Sequence, residues 1–103
     1  MSTVTKASIE AKIRGVYFIN AGEAVKASDG GYTDRDIAEL NLVTICIIIL
    51  ENGFKVEGTS ACVDPKIYND AIGRKEAYDA AFEKIWEKEG YLLKQKMFEE
   101  NQK

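Results

Sequence analysis

The stretch from Leu42 to Val63, LVTICIIILENGFKVEGTSACV, leaves the chain little freedom in its local structure. Two runs rich in Val, Ile and Thr flank Asn52-Gly53, the strongest short-range signal for a hairpin. A two-residue turn there pairs Glu51 with Phe54 and Leu50 with Lys55, so that cross-strand partners share a face. One face then carries Val43, Ile45, Ile47 and Ile49 with Phe54, Val56, Gly58, Ser60 and Cys62, and is expected to be the core. The other carries Leu42, Thr44, Cys46, Ile48 and Leu50 with Lys55, Glu57, Thr59, Ala61 and Val63. The first strand is apolar on both sides, so its second side needs a cover: the N-terminal helix or another subunit. In this register Cys46 and Cys62 lie on opposite faces and cannot form an intrachain disulfide.

A two-stranded ribbon is marginal alone in water, so helices must pack on it. Thr5 to Arg14 reads as a short helix with Ile9 and Ile13 on one stripe, continued by Val16 or Tyr17, and Ser2, Thr3 or Thr5 as cap. Ala21 to Leu40 is the least regular segment and reads as a loop around Gly30-Gly31. Asp64-Pro65 ends the second strand and starts a helical turn over 66–68. Asn69 or Asp70 begins a longer helix to about Lys88, with Ala77, Ala81 and Ile85 on one stripe and Tyr78, Phe82 and Trp86 widening it. Glu89-Gly90 ends or kinks that helix, Tyr91 to Met97 forms a last helical piece, and 99–103 is expected to fray. The expected fold is α+β in one domain: an antiparallel hairpin (about 42–50 and 54–63), packed by a short N-terminal and a long C-terminal helix, its sheet completed in an oligomer.

Composition limits the chemistry. The 103 residues contain no histidine, which removes His-based triads, His general bases and most zinc sites. The net charge of −3 argues against duplex nucleic acid, which needs a basic footprint. The N-terminus lacks an apolar signal core, and no apolar run is long enough to span a bilayer, so no membrane association is expected. A reducing, cytoplasmic setting with free thiols follows. The 17 carboxylates read as solvated surface. DGGYTDRD lacks the carboxylate spacing and closing Glu of a calcium loop, and Ser60-Ala61-Cys62 has no base. No cofactor is expected.

The one segment suggesting a ligand is Asn69 to Lys75. A helix start there offers free N–H groups, Gly73 permits close approach, and Arg74 and Lys75 add cations suited to phosphate. Tyr32 with Arg35 from the loop, and Tyr78, could stack on a base.

The run NGF…G.SACV.P followed by IGRK.AYD.A..KIW..EGYLLK resembles a small tailed-phage protein family, the "gene forty-nine / gene sixty-six" type. The match lies mainly over Asn52 to Leu93. Glu87 departs from it, since family members often carry proline after the tryptophan. The resemblance implies a phage accessory protein acting in the host cytoplasm. By analogy it implies a homo-oligomer that sequesters a small anionic nucleotide immune signal, a cyclic oligonucleotide or ADP-ribose derivative. Gly73, Arg74, Lys75, Tyr78, Tyr32 and Arg35 would then hold the ligand, with no catalytic residue. The alternative is a small acidic inhibitor that docks on a host protein.

Overall fold

A computed structural model of the chain describes residues 3–28 and 30–102. The element order is α1 (Lys6–Glu10), β1 (Ile13–Asn20), α2 (Ala21–Lys26), α3 (Asp34–Leu40), β2 (Val43–Leu50), β3 (Lys55–Ala61) and α4 (Asp70–Asn101). The three strands form one antiparallel sheet in the order β1-β2-β3. The expected hairpin, short N-terminal helix and long C-terminal helix are all present, and the fold is α+β.

The hairpin turn differs from the expected one by a residue, and that residue decides the core. Leu50 N donates to Phe54 O at 2.9 Å, and β2 pairs with β3 through Ile49↔Lys55 and Ile48↔Val56. Glu51, Asn52 and Gly53 form a three-residue loop, with Gly53 left-handed at φ 86°. Asn52 holds it by accepting a hydrogen bond from Phe54 N at 2.9 Å. The slip exchanges the faces of β2. Thr44, Cys46 and Ile48 are buried with Val56, Gly58 and Ser60, whereas Val43, Ile45, Ile47 and Ile49 are only partly buried. Cys46 and Cys62 therefore share a face, contrary to expectation. Both are free thiols, held four residues apart along the register, about 13 Å.

The largest correction is β1. Helix α1 is only five residues long, closed by a Thr5–Ser8 capping box. Ser2, one of the expected caps, lies outside the described residues. Ile9 is fully buried as expected, but Ile13, Val16 and Tyr17 belong to a strand. IRGVYFIN is dense in β-branched and aromatic residues, whose side chains suit a pleated surface better than a helix. A register shift between Ile13 and Gly15 leaves Arg14 bulged and turns Ile13 towards the core.

The 21–40 segment holds two short helices, and among the described residues only 27–28 and 30–33 are irregular. Asn20 Oδ1 caps α2 at Glu23 N, and Thr33 Oγ1 caps α3 at Asp36 N. The turn after Asp64 is not helical: Asp64 Oδ1 accepts from Lys66 N at 2.9 Å, an Asx turn.

Helix α4 has 32 residues, about 48 Å long, and passes through Glu89-Gly90 unbroken. It runs on to Asn101 where fraying was expected from 99; Lys103 lies outside the described residues. Its first half lies over β2 and β3. A Cβ on Gly58 would collide with the Ala77 carbonyl oxygen and the Ala81 backbone nitrogen, so helix and strand touch backbone to backbone there. Ile9, Cys46, Ile48, Val56, Ala77, Ala81 and Ile85 form the core. The second half of α4 projects beyond the sheet. The chain is 62 × 30 × 21 Å with a radius of gyration of 17.7 Å, against about 13 Å for a compact chain of this length.

Candidate binding surface

The start of α4 is organised by groups the chain already owns. Asn69 Oδ1 accepts from Ala71 N at 2.9 Å and Ile72 N at 3.2 Å, and Gly73 N bonds to Asn69 O. Asp70 stands in the first turn and accepts the Tyr68 hydroxyl at 2.6 Å, adding negative charge where an anion would sit. Gly73 is buried against Thr44, whose Oγ1 a Cβ would crowd at 2.9 Å, so this glycine serves the approach of helix to sheet.

The other proposed ligand residues are dispersed in role. Lys75 bonds to Asp79 at 2.7 Å, and that carboxylate holds its ammonium above the ordinary lysine range. Tyr78 packs on the core beside Phe82, with ring centroids 5.8 Å apart. Burial, then the charge of Glu10, pushes its phenol up. Tyr32 and Arg35 are exposed, just before and within the first turn of α3. Among the described residues, no hydrogen bond, ion pair or cation–π contact joins them to Arg74 or Lys75.

Arg74 stands apart. Its guanidinium lies 6.0 Å from the centre of the Phe18 ring on β1. Phe18 is one of three consecutive exposed apolar residues on that strand: Tyr17 at 59%, Phe18 at 40% and Ile19 at 36%. β1 is also an edge strand, with β2 on one side and, among the described residues, no strand on the other. An edge of this kind presents a row of backbone donors and acceptors to any extended chain. Arg14 and Arg74 place two cations along it. The signal was present in sequence, since Val16, Tyr17, Phe18 and Ile19 are four strand-formers in a row; taking Val16 or Tyr17 as the continuation of a helical stripe hides the edge.

A second apolar feature sits at the hairpin end. A groove of about 670 Å³ is lined by Leu50, Phe54, Ile85, Lys88, Tyr91 and Leu92, with Lys12 and Glu89 paired at its rim.

The model of the phage protein (N4 Gp49/phage Sf6 gene 66) family matches residues 4–97. The chain belongs to this family. The match takes in β1 and α1 as well as the C-terminal run that carried the resemblance. No curated protein and no solved structure matches the chain. Among the described residues, no helix is long and apolar enough to cross a membrane.

Proposed function

We propose that this phage protein works by binding rather than by catalysis, and that its target is an extended segment of a host polypeptide added as a fourth strand beside β1. The observation that carries this reading is the bare edge with Tyr17, Phe18 and Ile19 exposed in succession. Main-chain hydrogen bonds would supply affinity, and alternate side chains would meet the two apolar faces of the edge. Arg14 and Arg74 favour a segment with acidic residues among its apolar ones. The proposed setting is the host cytoplasm.

Capture from host lysate with wild type and with Tyr17→Lys/Ile19→Lys tests this, because lysines on an edge oppose strand addition without touching the core. A host protein held by the wild type and lost from the double variant is expected. A second reading, sequestration of an anionic nucleotide by an oligomer, draws on Arg74 beside an exposed aromatic ring. Native mass spectrometry against cyclic di- and trinucleotides and ADP-ribose derivatives separates the two. A nucleotide retained by the wild type and released by Arg74→Ala would replace the polypeptide reading.

A further inference from the structure

The projecting half of α4 is poorly explained by the chain's own contacts. An isolated helical end of about 12 residues is marginal in water, yet this one carries Leu93 half-buried and Met97 and Phe98 exposed. Gly90 sits near its start, inside α4, where it weakens a helix by about 1 kcal/mol relative to Ala. A Cβ there would meet nothing within 4 Å. The three glycines of the molecule that lie against another element (Gly22, Gly58, Gly73) each have a neighbour that a Cβ would strike. Gly90 has only open space.

Trp86, Gly90, Leu93 and Met97 recur at spacings of four, three and four, the seam of a helix that packs on another helix. Trp86 and Met97 are 39% and 45% exposed, so this seam is available. It is also self-complementary. If a second copy runs antiparallel about a two-fold axis between Tyr91 and Leu92, Leu93 faces Gly90 of the other copy and Met97 faces its Trp86. The large residue of each helix enters the space left by the small one. The charges beside the seam agree with this register: the exposed Glu87 on one helix lies alongside Lys94 and Lys96 on the other, twice over by symmetry. A parallel pairing in register would stack Gly90 on Gly90 and Leu93 on Leu93, leaving the glycine gap unfilled. With residues 82–101 overlapping, the contact runs about 30 Å, and each sheet lies at an opposite end of the pair.

We propose that α4 pairs with α4 of a second copy of this chain, antiparallel, along the seam Trp86–Gly90–Leu93–Met97. The proposal is independent of strand addition at β1, since the two surfaces share no residue.

Light scattering on the purified protein across a concentration series tests assembly, with a chain mass of 11.5 kDa as the monomer reference. The expected result is twice that mass for the wild type, and the single mass for Leu93→Glu, with the helical circular dichroism signal of a folded chain. Should Leu93→Glu fail to fold, a charge-reversal pair tests the same register. Glu87→Lys and Lys94→Glu/Lys96→Glu should each be monomeric alone and form a heterodimer when mixed. Orientation follows from Trp86→Cys and Met97→Cys in a Cys62→Ser background: a disulfide between the two variants when mixed, and none from Trp86→Cys alone. A wild type that stays at 11.5 kDa throughout the series, or an assembly unaffected by Leu93→Glu and by either charge reversal, would overturn the proposal.

Discussion

The two halves of α4 are built from similar residue types and use them differently. From Asp70 to Ile85 the helix lies on the sheet, and its small residues are small for a visible reason: Gly73 clears Thr44, and Ala77 and Ala81 meet Gly58 backbone to backbone. Ser60 donates to Glu76 at 2.9 Å and Lys84 to Glu57 at 2.6 Å, fastening the helix along β3. From Trp86 the same helix leaves the sheet, tied to the hairpin by Lys88 over the Phe54 ring and to the α1–β1 turn by the Lys12–Glu89 pair. A Cβ on its glycine would meet nothing, and Tyr91, Leu92, Met97 and Phe98 are exposed. The difference shows how far close packing explains this family motif: through IGRK.AY up to Ile85. In the EGYLL part, Glu89 is held by Lys12, and Tyr91 and Leu92 border the open groove at the hairpin end.

Substitutions grade this contrast. Gly58→Val should have the largest effect, because two backbones must separate to admit the side chain; a loss of about 3 kcal/mol or more in urea-induced unfolding is expected. Ile85→Ala, at the last fully covered turn, should lose about 3 kcal/mol by the same measurement. Asn69→Ala removes the cap that satisfies two backbone N–H groups and should lower stability by about 1 kcal/mol. On the projecting half the sign reverses: in the Leu93→Glu background, where no second helix covers Gly90, Gly90→Ala should raise the stability of the folded chain by up to about 1 kcal/mol, seen as a higher melting temperature. A loss of stability there would show that Gly90 already has a close neighbour, and would dissolve the contrast.

The smallest effect concerns the fastening along β3. The hydrogen bond from Lys84, then its charge, holds the exposed Glu57 carboxyl below its ordinary range. A depressed carboxyl stabilises the fold above the unfolded pKa, and that contribution fades as pH falls through the folded value. The stability difference between the wild type and Lys84→Met should therefore be small at pH 7, begin to shrink near the ordinary glutamate range at about pH 4, and disappear at lower pH.

Much of this architecture was legible in sequence. The hairpin, the long helix with its Ala77–Ala81–Ile85 stripe and the family all followed from local pattern. β1 did not, because Ile9, Ile13 and Tyr17 fall at helical spacing and the two periods compete in a short apolar run. The faces of β2 did not, because a strand apolar on both sides carries no period-two signal; only the turn sets its register. The continuity of α4 through Gly90 did not, since a glycine after polar residues reads equally as an end. The ligand residues chosen for the nucleotide reading were picked as residue types, and Gly73 and Lys75 turned out to be engaged within the fold. Arg74 alone borders the edge that the structure exposes.

The three-residue turn has a bearing on folding errors. A hairpin slipped by one position would pair β2 almost as readily, since isoleucines line both of its sides. With Cys46 and Ile48 turned to α4, that register would set Lys55, Glu57 and Thr59 beside them on β3 instead of Val56, Gly58 and Ser60. A core that joins Cys46 and Ile48 to Ala77 and Ala81 over Gly58 thus depends on the three-residue turn, since its register puts Cys46 and Gly58 on one face.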